Sequence, residues 1–326
     1  MPTKDELKAL QSLPLEVKVL KTQQRIREWV THFGVDGVYV SFSGGKDSTV
    51  LLHLVRELYP DVEAVFVNTG LEYPEIQRFV KTFDNVKTLY PEMQFPEVIR
   101  TYGYPVISKE ISERIYYARQ GSEWAIKCLN GLNPDGTISN FKKSAIKYKP
   151  LINTTFATSH KYEWATGKKP IVGTMANESQ LRKTQWIKTG CNAFESDRPR
   201  SAPISFWTEQ DIYIYIKMHD LKISSVYGDI MPMNEQLTFE GCEGKLCTTG
   251  CYRTGCIFCG FGAHLEKGEG RFQRLKRTHP KQYDFCINGG AYDEDGLWKP
   301  DTAGLGMGHV FDELNKLYGE DFIKYK

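Results

Sequence analysis

Two stretches of the chain set residues able to do chemistry at a telling spacing. In the first, Ser43-Gly44-Gly45-Lys46-Asp47-Ser48, paired glycines separate an apolar, β-branched run (38–42) from a helix-like segment (48–58). That segment carries Val50, Leu51, Leu54, Val55 and Leu58 on one face. A strand that turns through glycines into a helix N-terminus is a phosphate cradle. The missing side chains let backbone N–H groups reach an anion, and the helix dipole adds positive potential. Lys46 supplies a formal charge; Ser43 and Ser48 supply hydroxyl donors. The pattern is not the Walker A loop, which needs four residues between its first glycine and Gly-Lys. In the second stretch, Cys242, Cys247, Cys251, Cys256 and Cys259 follow the spacing C-x4-C-x3-C-x4-C-x2-C. Cysteines crowded in this way, closing on a C-x2-C flanked by glycines, read as metal ligands. Zinc and a [4Fe–4S] cluster each take four ligands. Arg253, Lys245 and backbone amides suit the negative charge of a cluster, and Tyr252, Phe258, Phe261 and Gly262 around it favour a cluster over zinc.

The elements that must position these stretches follow from the rest of the chain. Its 326 residues allow a full core, in one large domain or a large and a small one. The 42 basic and 40 acidic residues nearly cancel, so net charge calls for neither a nucleic-acid nor a membrane partner. No apolar stretch approaches a membrane span and the N-terminus lacks a signal-peptide pattern, so a soluble cytoplasmic protein is expected. Residues 1–34 read as a helical flank, interrupted at Pro14 and ended by Gly34. A strand over 61–68 follows the loop and its helix at βαβ spacing, which implies a parallel sheet with right-handed crossovers. The alternation continues through a helix (75–83), a strand (86–89), helices at 95–102 and up to about 120, a strand (170–174) and a helix beginning at Thr208. The expected fold class is α/β, an open, mostly parallel sheet with helices on both faces, plus a small cysteine-rich, helical C-terminal region. The expected divisions are 1–34, 35–235 and 236–326. Lys142, Lys143, Lys147 and Lys149, with Phe141 and Tyr148, suit either a nucleic-acid strand or a solvated insertion. The basic run 271–281 suits a phosphate-bearing substrate or solvent, and 308–326 reads as one amphipathic helix.

Ser-Gly-Gly-Lys-Asp-Ser resembles the PP-loop of the ATP pyrophosphatase, or adenine nucleotide alpha-hydrolase, superfamily, which includes the phosphoadenosine phosphosulfate (PAPS) reductases. Three further stretches resemble the same family in the same order. Asn68-Thr69-Gly70-Leu71-Glu72-Tyr73-Pro74-Glu75 is similar to its Asp-Thr-Gly-Leu-Glu-Phe-Pro-Glu segment, with Asn68 where the family has Asp. Gly173-Thr174-Met175-Ala176-Asn177-Glu178-Ser179-Gln180-Leu181-Arg182 is similar to the stretch that closes over the nucleotide, with Met175 in place of the usual arginine. Pro203 to Ile212, with Trp207 and Asp211, is similar to a segment read here as packing. The resemblance implies nucleotide contacts at Ser43, Gly44, Gly45, Lys46, Asp47, Ser48, Asn68, Thr69, Gly173 and Glu178. It implies catalytic roles for Lys46, Asp47 and Arg182. The Arg253-Thr254-Gly255-Cys256-Ile257-Phe258-Cys259 segment resembles that of PAPS-reductase-like proteins, and the ATP pyrophosphatases of DNA phosphorothioation systems carry a [4Fe–4S] cluster in the matching region. The implied ligands are Cys251, Cys256 and Cys259, with Cys247 as the fourth and Cys242 or Cys286 as alternatives.

The family implies one of two chemistries. An ATP pyrophosphatase binds ATP with Mg²⁺, adenylates an acceptor with release of pyrophosphate, and supports sulfur insertion. DNA is then the leading acceptor, tRNA or a small metabolite the others, and a cysteine desulfurase the sulfur donor. A sulfonucleotide reductase instead attacks sulfur with a cysteine in a Glu-Cys-Gly-x-His segment, which this sequence does not contain; the pyrophosphatase is therefore the expectation. A different class, a nucleic-acid-binding or redox-sensing module without turnover, is disfavoured by the intact loop.

Overall fold

The computed structural model describes residues 2–139, 144–158, 168–233 and 244–326. The helical flank forms α1 (Lys4–Gln11) and α2 (Leu15–Phe33). Thr3 and Glu6 close a capping box on α1, Pro14 caps α2, and Gly34 ends it at φ +78°. Helical spacing places Lys18, Thr22, Ile26, Trp29 and Val30 on the buried face of α2. There follow β1 (Val38–Ser41), α3 (Lys46–Leu58), β2 (Ala64–Val67), α4 (Pro74–Val80) and β3 (Val86–Leu89). The chain continues through α5 (Phe95–Tyr102), β4 (Val106–Ile107), α6 (Lys109–Arg119), α7 (Glu123–Leu129) and α8 (Ser144–Tyr148). Next come β5 (Lys169–Val172), α9 (Gln180–Thr189), β6 (Asn192–Ala193), β7 (Arg200–Ser201), α10 (Glu209–Met218), β8 (Ile230–Pro232) and β9 (Leu246–Thr248). The last elements are β10 (Gly260–Phe261), α11 (Arg271–Thr278), α12 (Pro280–Ile287), β11 (Ala291–Tyr292), β12 (Trp298–Lys299) and α13 (Met307–Tyr318).

Two units divide the chain, Met1–Pro91 with Ala165–Thr254 and Glu92–Trp164 with Gly255–Lys326. The first holds the α/β sheet, in the order β3-β2-β1-β5-β7-β6. All its pairings are parallel except β6 with β7. β1 is central: Val40 pairs with Ala64 on one side and with Ile171 on the other. Val38 and Val40, on one face of β1, are buried, and Tyr39 and Ser41 on the other are half-buried. α3 packs on α2 and α10. The start of α10 and the segment before it are tied to α2 by buried polar contacts: Trp207 Nε1 donates to Thr22 Oγ1 at 2.9 Å, and Lys18 Nζ meets Asp211 at 2.7 Å.

In the second unit β4 pairs with β10 and β11 with β12, and α11, α12 and α13 pack in sequence. The expected single terminal helix is shorter than 308–326. α13 stops at Gly319, whose φ is +110°, and the chain folds back so that Ile323 N donates to Asn315 and the Tyr325 hydroxyl to Asp312. Of the lysine cluster, Lys142 and Lys143, with Phe141, lie outside the described residues, as does Cys242. Among the described residues no helix is long and apolar enough to cross a membrane.

Candidate nucleotide site and cysteine segment

The Ser43–Ser48 loop sits where strand order reverses. From β1 the chain moves to β2 and β3 on one side, and β5 adds on the other. Loops leaving the carboxyl ends of such neighbouring strands bound the crevice in which open α/β sheets hold ligands. The loop leaves β1, Asn68 leaves β2 and Gly173 leaves β5, so the expected contact residues come from three adjacent strand ends.

Gly44 makes the turn at φ +71°. A Cβ there would lie 2.8 Å from Val80 and 2.9 Å from Ile76, both stiff β-branched side chains of α4. Gly44→Ala is therefore expected to cost about 1–3 kcal/mol from overpacking alone, read as a lower denaturant midpoint. At Gly173 the added Cβ would stand 3.2 Å from the Ser48 backbone, so that glycine lets β5 approach the head of α3. Hydroxyls fix the loop internally: Ser43 Oγ lies 3.1 Å from Ser48 Oγ, while Ser48 and Thr49 both donate to the Gly45 carbonyl, at 2.9 and 3.0 Å.

α3 starts at Lys46, two residues earlier than apolar periodicity suggests, with Gly45 as its cap. Its first amides have no partner within the helix and are the natural anion donors. One of them, Lys46 N–H, donates to the Tyr227 hydroxyl at 3.1 Å; that hydroxyl also lies 2.7 Å from Thr254 Oγ1. The Lys46 side chain is only 2 % exposed. Its ammonium lies 3.1 Å from Glu209 and 3.5 Å from Asp47 Oδ1, ringed by Tyr213, Tyr227 and Tyr252 at 5.7–5.9 Å. Burial works against the ammonium, but Asp47 and Glu209 outweigh it and hold its pKa above the ordinary lysine value. Desolvation pushes the Asp47 carboxyl up; Lys46 opposes this, and Glu178 and Glu209 reinforce it. Asp47 Oδ1 is buried without a hydrogen bond, its contact with Lys46 being an ion pair only.

Glu209 is thus a carboxylate with which any anion approaching the Lys46 ammonium would have to compete. Glu209→Gln is expected to tighten inorganic pyrophosphate binding, without divalent metal, by about fivefold. That is the roughly 1 kcal/mol of one like charge at short range in a wet site. Isothermal titration of both proteins reads the change directly.

The remaining expected residues are placed as follows. Asn68 Oδ1 accepts from Gly70 N–H, and the Thr69 hydroxyl donates to Glu72 at 2.6 Å, so this stretch is a turn held by its own side chains. Glu178 accepts from Met175 N–H at 2.8 Å and pairs with Arg182 and, at 3.7 Å, with Arg253. Arg182 is half-exposed at the start of α9. Met175 is 3 % exposed, so this departure from the family pattern is a packed side chain. Reading the sequence missed Tyr227, Glu209, Tyr213 and Thr254 at the loop. Glu209 was legible only as an acidic residue in the first turn of α10, and Tyr252, Arg253 and Thr254 only as part of the cysteine segment.

The cysteines are described within their own units. In the first, Cys247 lies on β9 and Cys251 is buried, its N–H donating to the Val226 carbonyl at 2.8 Å. In the second, Cys259 N–H donates to the Cys256 carbonyl at 3.1 Å, forming the tight turn of a C-x2-C pair. Desolvation raises the Cys259 thiol pKa, opposed by a backbone hydrogen bond and by the charges of Arg271 and Lys109. Cys286 is fully buried, donates to Met307 Sδ at 3.5 Å, and has its pKa driven up by desolvation. It is packed core, with neither the exposure nor the charge of a nucleophile or ligand.

A mostly parallel central sheet with a glycine turn at its reversal point is the arrangement of the adenine nucleotide alpha-hydrolase type of α/β fold. Residues 37–105, which include the Ser43–Ser48 loop, match the phosphoadenosine phosphosulfate reductase domain. The phosphoadenosine 5'-phosphosulfate reductase of Xylella fastidiosa (strain M23) is 27% identical over 221 residues, 68% of this chain and 79% of that protein. An uncharacterized protein of Methanocaldococcus jannaschii is 24% identical over 273 residues, 80% of this chain and 51% of that protein. The crystal structure of the PAPS reductase from Candida auris in a phosphate complex covers 73% of this chain and 98% of its own, at 13% identity and a TM-score of 0.35.

Proposed function

We propose that the chain is an ATP pyrophosphatase of PAPS-reductase type that adenylates an acceptor, with DNA backbone phosphate as the leading one, and so supports sulfur insertion. The observation that carries this reading is Lys46: a buried ammonium at the head of α3, beside a glycine turn at the reversal point of the sheet. The β- and γ-phosphates lie on the α3 amides and Lys46, in place of Glu209. An acceptor oxygen attacks the α-phosphorus, the bond to the β-phosphate oxygen breaks, and pyrophosphate leaves with that electron pair. A cysteine desulfurase is the proposed sulfur source: its persulfide, reduced by two electrons from a dithiol reductant to sulfide level, displaces AMP from the acceptor, and the dithiol leaves as a disulfide. Positioning and charge stabilisation are the catalytic terms here, supplied by loop amides, Lys46 and Arg182. Asp47 is the residue that would hold Mg²⁺, since its buried Oδ1 has no hydrogen bond to give up; the ion would supply positive charge on the polyphosphate.

The cysteine spacing supports a metal-thiolate centre of Cys247, Cys251, Cys256 and Cys259, a [4Fe–4S] cluster in preference to zinc. When bound, such a cluster would supply a site for sulfur or electrons. The names of the curated relatives favour one other reading, a sulfonucleotide reductase. Two assays decide between them. Pyrophosphate released from ATP in the presence of duplex DNA supports the first. Sulfite released from PAPS with thioredoxin, and no pyrophosphate from ATP, replaces it with the second.

A further inference from the structure

α3 carries a second group of chemically capable side chains at its other end. His53 and Glu57 stand one turn apart on α3, and His219 caps the C-terminus of α10, which packs on α3. Their nearest ligand atoms, one per residue, all lie within 4.8 Å of one another. Tyr215, fully buried, fixes two of them. Its hydroxyl is 3.0 Å from His53 Nδ1, and its ring stacks on His219 with centroids 4.1 Å apart. His53 Nδ1 and the Glu57 carboxylate are 3.9 Å apart. The three belong to one unit and are remote from the phosphate cradle: seven to eleven residues beyond Lys46 is roughly 10–16 Å along a helix.

We infer that His53, Glu57 and His219 form a binding site for one divalent transition-metal ion. Two imidazoles and a carboxylate are the donor set of open, three-ligand zinc sites, with further positions left to water or an exogenous ligand. Ligand atoms around such an ion stand about 3.3–3.5 Å apart, given metal–ligand distances of about 2.0–2.1 Å. Closing from 4.8 Å takes rotation of Glu57 and His219, both exposed, and His53 Nδ1 exchanges the Tyr215 hydroxyl for the metal. His53 and Glu57 also line a groove of about 770 Å³, with Leu52, Phe83, Arg56 and Lys222 among its other walls. No step of the proposed ATP chemistry uses these residues.

Co²⁺ tests the inference, because it separates this site from the cysteines. Nitrogen and oxygen ligands give visible d–d bands alone, whereas thiolates add intense sulfur-to-metal charge transfer in the near ultraviolet. The wild-type chain is expected to take up one equivalent of Co²⁺ without charge transfer. His53→Ala and His219→Ala are each expected to lose that equivalent and to keep any thiolate-type uptake. Glu57→Gln, at an exposed position, is expected to weaken the same equivalent while leaving circular dichroism unchanged. A Co²⁺-soaked crystal of the wild-type chain is expected to give an anomalous peak between the three side chains. Equal uptake by wild type and the His53→Ala, His219→Ala double variant, or no peak in the soaked crystal, overturns the site.

Discussion

Lys46→Ala is expected to lower pyrophosphate release from ATP by about 10²–10³-fold, the range measured when one preorganised charge-stabilising donor is removed from an active site. The effect is large because the ammonium is already desolvated and held in place by Asp47, Glu209 and three tyrosine rings. Once phosphate has replaced Glu209, the ammonium stands ready for the charge that develops on the leaving pyrophosphate. Lys46→Arg is expected to recover little, since a planar guanidinium does not fit a cage shaped around a point charge. The check is steady-state pyrophosphate release by each variant, with duplex DNA as acceptor. A loss of less than about threefold, well under one such donor's contribution, contradicts the role given to Lys46.

Lys18→Ala is expected to destabilise the fold by about 3–5 kcal/mol, because it strands a buried carboxylate. Asp211 is only 8 % exposed and also accepts from Thr208 N–H and the Thr208 hydroxyl, so the change strikes the start of α10. Glu209 and Tyr213, both at Lys46, stand on that first turn and a half. A double replacement, Lys18→Met with Asp211→Leu, is expected to regain much of the loss, because a well-packed apolar pair removes the desolvation cost of both charges. Denaturant unfolding of the two variants and of the wild type measures this. A single-variant loss below about 1 kcal/mol would place the pair among exposed ion pairs, contrary to its burial.

The fold was legible wherever local pattern and tertiary demand agreed. β3 and α5 have the bounds that their sequence suggests, and Pro14, Gly34 and Thr208 mark helix ends as their chemistry requires. The start of α3 was misjudged because Lys46 and Asp47 are polar residues in buried positions, and apolar periodicity begins only after them. The terminal helix was overextended because Phe322, Ile323 and Tyr325 continue an apolar pattern, although they pack by folding back beyond Gly319. At the candidate site, the placement of the loop, Asn68 and Gly173 at strand ends was legible, because each follows an apolar, β-branched run. Tyr227, Glu209 and Thr254 were not. They reach Lys46 from more than 160 residues away in sequence, and no local spacing records such a meeting. His53, Glu57 and His219 escaped for the same reason, two lying on α3 and the third at the end of α10.

The central claim, that loop amides and Lys46 grip a nucleotide's phosphates, is tested most directly by amide chemical shifts. When ¹⁵N-labelled protein is titrated with ATP and Mg²⁺, the Gly44, Gly45, Lys46 and Asp47 signals are expected to shift together and saturate, with the Lys46 amide exchanging its Tyr227 partner for phosphate. Saturable ATP binding that leaves these four amides where they were would contradict it.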